Sequence, residues 1–262
     1  MTKILVLGHK GMLGNAVCKF FESQDGYSIV TINDRWGNAS FEASIRETKA
    51  DVIINCIGII PQRKPDVALY TSVNVDLPLF LDTLGIRVIH PSTDCEFLGN
   101  VPPDYKYTKT DTRDADDDYG KSKAESSAWL ENNSKNTKII RTSIIGHETN
   151  TSIALLDWFL HAEGEVRGYT NHFWNGLTTL EWAKQAKTMI ESWDTLPVLN
   201  QYGTDENKSK YELLLIAQEV YGKEITITPF EPPVGVNKCL LSDTPVSDIK
   251  TQLSELKTFY GK

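Results

Sequence analysis

The chain has 262 residues, 40% of them hydrophobic and 24% charged, and its 27 Lys and Arg face 35 Asp and Glu for a formal net charge of −8. That composition excludes a disordered, collagen-like or low-complexity chain. The acidic balance excludes a general nucleic-acid binder, which would carry a basic excess to meet phosphate.

The first apolar run, 4–7, follows Lys3 and lacks the length of a signal segment or a membrane span; no other stretch is a span candidate. With 28–32, 52–55, 88–91 and 138–142 it forms a set of short β-branched or apolar segments, as strands buried on both faces of a parallel sheet must be. Helical stretches at about 12–24, 40–48, 66–83 and 119–132 separate them. The expected fold is therefore α/β, a doubly wound parallel sheet over residues 1–146. The run Asp114, Asp116, Asp117 and Asp118 reads as a solvated loop that caps the helix starting near Tyr119. After Gly146 the rhythm changes to helices at 152–161, 179–193 and 210–221 with short strands at 198–201 and 225–229. These predict a smaller C-terminal α+β lobe over 147–262, with elements near 179–203 returning to the main sheet. Cys18, Cys56, Cys95 and Cys239 lie far apart without CxxC spacing. Reduced thiols in a cytosol are expected, with no disulfide framework and no metal site.

Gly8-His9-Lys10-Gly11-Met12-Leu13-Gly14 follows the first strand and opens the first helix. Gly8 permits a tight turn, Gly11 lets the backbone approach a pyrophosphate, and Gly14 lets helix and strand pack closely, which is how a dinucleotide is held at a helix N-terminus. The end of the second strand decides which dinucleotide. There Asp34 suits the ribose hydroxyls of NAD(H), whereas Arg35, together with Lys10 in the glycine loop, suits the 2′-phosphate of NADP(H). Two cations near one spot favour NADPH, with NAD(H) left open.

Tyr119 and Lys123 stand four residues apart, one helical turn on one face. A nearby ammonium eases proton loss from a phenol, which makes such a Tyr a proton donor or acceptor at a carbonyl oxygen. The alternative is a surface Tyr stacked on a Lys stem. Ser92 and Thr93 end the fourth strand, at the edge where parallel sheets bind ligands, and either hydroxyl can hydrogen-bond the same oxygen.

Taken together, Gly8–Gly14, Asn55-Cys56-Ile57-Gly58, Ser92-Thr93-Asp94 and Tyr119/Lys123 resemble the extended short-chain dehydrogenase/reductases. Ser-Thr-Asp followed by Phe97 and Gly99, the Tyr-Gly-Lys-Ser-Lys run and Asn175-Gly176-Leu177-Thr178-Thr179 are similar to the dTDP-4-dehydrorhamnose reductase branch. Asn55 to Ile60, Ser92 to Cys95 and Arg141 to Glu148 look closer still to reductases of UDP-2-acetamido-2,6-dideoxy-hexos-4-uloses. The glycine loop is also similar to that of NADP-dependent GDP-fucose synthases. The resemblance thins after Trp193.

The resemblance implies a Rossmann-type domain and reduction of the C4 ketone of a nucleotide-linked 4-keto-6-deoxy sugar by NADPH, a UDP-linked sugar ahead of a dTDP-linked one, for surface glycans. It makes Tyr119 the acid, Lys123 its partner and nicotinamide-ribose ligand, and Thr93 the third catalytic hydroxyl. Gly8, Lys10, Gly11, Met12, Leu13, Asp34, Arg35, Asn55, Gly58, Asn74 and Ser92 would line the cofactor. Asp94, Arg141, Ser143, Trp174 and Asn175 would face the nucleotide sugar. The implied setting is the cytosol of a bacterium or of a virus-infected host cell, without nucleic-acid or membrane partners and with a homodimer open.

Cys95 stands where bifunctional epimerase/reductases carry a cysteine, so a thiol acting on C3 beside the ketone is a further expectation. The partner lysine of those relatives is missing, because 150–157 holds none. A one-base scheme, or one assisted by His147, is the alternative, although His147 and His172 each read more readily as structural or substrate-contacting. Two other functions stay open: an epimerase or dehydratase that retains NAD, and a non-catalytic regulatory subunit on the same fold.

Overall fold

A computed structural model describes all residues, Met1–Lys262. In chain order it runs β1 (Thr2–Leu7), α1 (Met12–Glu22), β2 (Tyr27–Thr31), α2 (Phe41–Thr48), β3 (Val52–Asn55), α3 (Val67–Tyr70), α4 (Leu77–Thr83), β4 (Arg87–Ser92), α5 (Asp118–Asn133) and β5 (Thr137–Arg141). It continues through β6 (Ile144–Ile145), α6 (Leu155–His161), β7 (Glu165–Tyr169), β8 (His172–Trp174), β9 (Leu177–Thr178), α7 (Thr179–Glu191) and β10 (Leu199–Gln201). The last elements are β11 (Lys208–Ser209), α8 (Lys210–Tyr221), β12 (Thr226–Phe230), β13 (Val236–Asn237) and α9 (Ile249–Tyr260).

The chain divides into two compact units, and each is assembled from three segments. Unit one takes Met1–Thr93, Ala115–Ile140 and Ala183–Asn200; unit two takes Asp94–Asp114, Arg141–Trp182 and Gln201–Lys262. Residues 94–114 and 141–146, which sequence periodicity groups with the first half, thus fall in unit two, and 183–200 joins unit one.

Unit one is organised by a six-stranded sheet in the order β10-β5-β4-β3-β1-β2. The pairs β1–β2, β1–β3 and β3–β4 are parallel. Its middle is apolar on both faces: Ile4, Leu5, Val6, Ile53, Ile54, Val88 and Ile89 are all fully buried. Each such side chain contributes about 1.5–3 kcal/mol relative to exposure. On one face Leu5, Leu7, Ile53 and Val88 pack with Phe41, Ile45, Leu77, Leu81 and Leu84 from α2 and α4. This is the expected doubly wound sheet.

One departure sits between α3 and α4, where the stretch Thr71–Asp76 winds as a π-helix. Such wide turns admit an extra residue and re-aim side chains near functional sites. Here Asn74 is the residue brought inward. It is 1% exposed, its Oδ1 accepts the N–H of Ile59 at 3.0 Å, and its Nδ2 donates to Ile59 O at 3.0 Å and Ser122 Oγ at 3.1 Å.

Unit two carries a three-stranded sheet, β11-β8-β13, and the parallel pairs β12–β7 and β6–β9. α8 is set by a reciprocal cap: Ser209 Oγ accepts the N–H of Glu212, and Glu212 Oε2 accepts the N–H of Ser209. α9 begins at Asp248, whose carboxylate accepts the N–H of Thr251. No helix of the protein is long and apolar enough to cross a membrane.

Candidate active site

In unit one the glycine loop is shaped by backbone contact. Gly8 has φ +76°, and a Cβ there would lie 2.9 Å from the carbonyl of Cys56. A Cβ on Gly14 would lie 2.3 Å from Gly8 O and 2.8 Å from His9 Cα, so the first turn of α1 lies directly on the loop. By contrast, a Cβ on Gly11 would meet only Gly8 O, at 3.4 Å, and no side chain caps the N-terminus of α1. A Cβ on Gly58, after β3, would meet only Asn74 Oδ1 at 3.8 Å. An uncapped helix start with open space above its glycines fits the pyrophosphate of a dinucleotide.

This contrast predicts that Gly14→Ala, which has only backbone to push against, weakens NADPH binding at least tenfold and costs about 1–3 kcal/mol of stability. Gly11→Ala should melt like the parent protein. Fluorescence titration with NADPH and thermal melting check both; a Gly14→Ala protein indistinguishable from the parent would refute the packing argument.

At the end of β2, Lys10 Nζ donates to Asn33 Oδ1 at 2.9 Å, which brings the loop cation beside Asp34 and Arg35. The Asp34 carboxylate is already engaged. Hydrogen bonds from Asn38, at 3.0 Å, and Ser44, at 2.7 Å, pull its carboxyl down to about 2.

The proton-handling residues are carried by α5 and the end of β4. α5 is capped by Asp117, whose Oδ1 accepts the N–H of Gly120 at 2.7 Å. Its buried face is made of Gly120, Ser122, Lys123, Ser126, Ser127 and Leu130, of which the glycine and the serines allow close approach to the sheet. Ser127 Oγ donates to Ser92 Oγ at 2.9 Å, and Ser122 Oγ donates to the carbonyl of Tyr119 at 2.7 Å. Lys123 is 5% exposed. Its Nζ donates to Pro91 O at 2.7 Å and lies 3.1 Å from His90 Nε2. The structure therefore places Lys123 against β4 two residues before Thr93, itself 7% exposed, with Tyr119 one turn earlier on the same helix. Tyr119 packs its ring 6.2 Å from that of Tyr70.

Among the expected cofactor residues, Asn55 and Asn74 are enclosed. Asn55 is 0% exposed; its Oδ1 accepts the N–H of Ile57 at 3.0 Å and its Nδ2 meets His90 Nδ1 at 3.1 Å. Both amides shape the loop that carries Gly58.

In unit two, Arg141 requires a correction. It is 0% exposed, with Nη2 2.6 Å from Glu96 Oε2 and Nη1 donating to Gln201 Oε1 at 3.0 Å. Glu96, also 0% exposed, takes a second cation from Arg113 Nε at 2.7 Å. Arg141 thus belongs to a buried charge cluster, with Glu96 and Gln201 on its guanidinium. Asn175 is corrected likewise: its Nδ2 donates to Thr204 O and Leu240 O, and its Oδ1 accepts the N–H of Leu240, which uses the amide inside the protein. Trp174 is buried at 4% exposure. Ser143 turns its carbonyl to the N–H of Leu177 at 2.8 Å. His147 is enclosed too, with Nδ1 2.7 Å from Asp157 Oδ1 and Nε2 2.9 Å from Tyr221 OH, so it serves as a clasp.

Sequence reasoning missed a cavity of about 410 Å³ in this unit. Arg167 and Lys210 bring cations to its wall, and Trp158, Tyr169, His172 and Phe230 bring rings. The Arg167 guanidinium sits 5.0 Å from the centre of the Phe230 ring. Cations and flat rings together suit a nucleotide. A larger hollow of about 610 Å³ is lined by side chains of mixed charge, Asp157, His161, Lys223, Glu224 and Lys262, together with Tyr221.

Lys210 has a second role in view. Burial lowers the proton affinity of its ammonium, while Asp94, Cys95 and Cys239 act electrostatically to hold the proton on. Lys210, at the start of α8, thus lies within electrostatic reach of Asp94, Cys95 and Cys239. Cys239 is pushed up to about 12, first by burial and then by Asp94.

Known proteins resemble this chain in sequence and in fold. The family model described as the RmlD substrate binding domain matches residues 1–157. The spore coat polysaccharide biosynthesis protein SpsK of Bacillus subtilis is 24% identical over 238 residues, 87% of this chain and 82% of that protein. A dTDP-4-dehydrorhamnose reductase of Aggregatibacter actinomycetemcomitans is 31% identical over 153 residues, 55% of this chain and 51% of its own. Among solved structures, the dTDP-4-dehydrorhamnose reductase of Bacillus anthracis in complex with NADP superposes with a TM-score of 0.83 at 14% identity, over 98% of this chain and 99% of that one.

Proposed function

Because the chain belongs to the RmlD substrate binding domain family, we propose that it is an NADPH-dependent reductase of the C4 ketone of a nucleotide-linked 4-keto-6-deoxy sugar, working in the cytosol toward a surface glycan. One observation carries the reading: Lys123 is buried, stands one turn from Tyr119 and is fixed to Pro91 O, two residues before Thr93, in the unit that also holds the open glycine loop. A solved structure of the same fold, the dTDP-4-dehydrorhamnose reductase of Bacillus anthracis, holds NADP and strengthens it.

When bound, the nicotinamide supplies the hydride. The protein does the rest. The glycine loop and the N-terminus of α1 hold the pyrophosphate, and Lys10, turned to the end of β2, favours a 2′-phosphate. Asp34, already bonded to its own loop, does not compete for that place. Thr93 orients the ketone oxygen by a hydrogen bond, Tyr119 gives it a proton, and Lys123 restores the proton to Tyr119. The cavity of unit two takes the nucleotide, with Arg167 on its phosphates and the rings beside its base.

The substrate is a UDP-2-acetamido-2,6-dideoxy-hexos-4-ulose, and C3 epimerisation precedes reduction, with Cys95 as the base and Lys210 as the acid on the opposite course of the proton. Mixing the protein and NADPH with UDP-linked or dTDP-linked 4-keto sugars, and following absorbance, tests the first statement. Stoichiometric NADPH consumption, faster with the UDP sugar, is expected; consumption with neither, or NAD retained through purification and recycled, overturns the reductase reading. Incubation in deuterated water without NADPH tests the second, with deuterium expected at C3 and lost in Cys95→Ser. No exchange at C3 removes the epimerase step.

A further inference from the structure

The reading above leaves one buried cluster of unit two without a part in the reaction. His147, 2% exposed, follows β6, and its ring stands between two helices. Asp157 on α6, also 2% exposed, faces Nδ1 at 2.7 Å, and Tyr221, the last residue of α8, faces Nε2 at 2.9 Å. Tyr221 and Tyr260 set their rings edge-on to the imidazole, 5.5 and 5.1 Å away centroid to centroid. All of these residues belong to unit two.

As a carboxylate Asp157 only accepts, so the ring proton sits on Nδ1 and goes to Asp157 Oδ1. Nε2 of the neutral ring is then an acceptor, and the Tyr221 hydroxyl donates to it. Burial holds the ring's proton affinity below the usual imidazole range against the pull of Asp157, and Lys262 acts in the same direction as burial. Burial, and after it Asp157, keeps the proton on the Tyr221 hydroxyl. Lys262 Nζ, 3.1 Å from Nδ1 and 3.8 Å from Asp157 Oδ1, answers the charge of the carboxylate. The other oxygen, Oδ2, accepts the N–H of Glu148, and Glu148 Oε2 accepts the N–H of Ala154 at 2.7 Å. The loop from β6 to α6 is thus closed onto the same carboxylate that holds the ring.

The same two helices wall the cavity of about 410 Å³. Leu155 and Trp158, three residues apart on α6, and Lys210 and Leu214, four apart on α8, all line it. Asp157 lies on an adjacent face of α6, and Tyr221 closes α8 at the end opposite Lys210. One imidazole therefore joins the two walls. We propose that His147 is a positioning residue for the nucleotide: by bonding Asp157 and Tyr221 at once it fixes α6 against α8 and holds Leu155 and Trp158 in place on the cavity wall. This rests on the reading of that cavity as the seat of the nucleotide. His147 acts through the placement of Trp158, so its effect falls on binding and not on the chemical step. A ligand's apparent affinity drops with the fraction of molecules that have the wall in place, and losing buried hydrogen bonds from the clasp shifts that fraction about tenfold.

His147→Phe keeps a ring beside Tyr221 and Tyr260 and removes both bonds, whereas Tyr221→Phe removes one hydroxyl. Binding of UDP alone, followed by calorimetry, should weaken at least about tenfold in His147→Phe and about three- to tenfold in Tyr221→Phe. KM for the UDP-linked 4-keto sugar should rise in step while kcat stays within about twofold of the parent, and NADPH, held by unit one, should bind as before. Nitrogen-15 spectra of the parent imidazoles should show the His147 proton on Nδ1. UDP affinity at the parental value in either folded variant overturns the proposal, however far the melting temperature falls. A drop in kcat at constant KM, or a His147 proton on Nε2 in the parent, overturns it too. Should His147→Phe fail to fold, Tyr221→Phe decides. Arg167→Ala, on the cavity wall but outside the clasp, separates this failure from failure of the reading beneath it. UDP binding lost in Arg167→Ala and kept in the clasp variants leaves the nucleotide in the cavity and takes His147 out of its binding. UDP bound equally by Arg167→Ala and the parent, or not bound by the parent, removes the nucleotide from this cavity and the proposal with it.

Discussion

Tyr119→Phe is expected to lower kcat for ketone reduction by about 10²–10⁴-fold, the range that a positioned proton donor supplies. The change removes one hydroxyl and keeps the ring, whose neighbour Tyr70 lies 6.2 Å away centroid to centroid. The backbone of residue 119 stays tied through Ser122 Oγ, and α5 keeps its Asp117 cap. Melting temperature and NADPH affinity should therefore stay at parental values while turnover collapses. Steady-state rates beside thermal melts make the comparison, and an unchanged kcat in a folded Tyr119→Phe protein would remove Tyr119 from the chemistry. Lys123→Met is a poorer probe of the same step, since removing Nζ also strips Pro91 O and His90 Nε2 of a buried partner.

The second large effect concerns stability. Arg141→Met should destabilise the protein by about 3–5 kcal/mol, the cost of taking one partner from a buried ion pair. Glu96 would keep Arg113 at 2.7 Å but lose the 2.6 Å contact on its other side, at a position with no access to water. The aromatic face of Phe97, 5.3 Å from the guanidinium, would lose its cation as well. Urea unfolding measures the loss. The double variant Arg141→Met/Glu96→Gln should not recover it, because Arg113 then loses its carboxylate as well. The KM for a nucleotide sugar should stay near the parental value in the folded fraction. A raised KM with unchanged stability would return Arg141 to the ligand site and overturn its assignment to the charge cluster.

The parallel sheet was legible because strands buried on both faces leave unbroken apolar runs, and the glycine loop and the Tyr119/Lys123 spacing are local patterns that survive in one dimension. What escaped was long-range pairing. Arg141 and Asn175 have the chemistry of ligand groups, and nothing near them in sequence reveals that Glu96, Gln201 and Leu240 use them up. Lys210 reaches the surroundings of Cys95 from the start of α8, far along the chain. The π-wound stretch Thr71–Asp76 hid inside a good helical pattern, since a single extra residue leaves the apolar period almost intact. His90 read as an ordinary strand residue until Asn55 and Lys123 were found on its two nitrogens. α9 did have a signal: Asp248 as a cap, then Ile249, Leu253 and Leu256 on one buried face.

The interleaving of the two units also bears on how the chain is made. β10 flanks β5 at one edge of the six-stranded sheet, and it belongs to a segment, Ala183–Asn200, that leaves the ribosome after most of unit two's middle segment. A nascent or truncated chain ending near 146 would present β5 as a bare edge with unpaired N–H and C=O groups, and it would carry 94–114 without Cys239 and Leu241, to which the backbone of Tyr107 is bonded. The first half is thus a fragment prone to sticking to its own kind, and synthesis must run past residue 200 before either unit is complete.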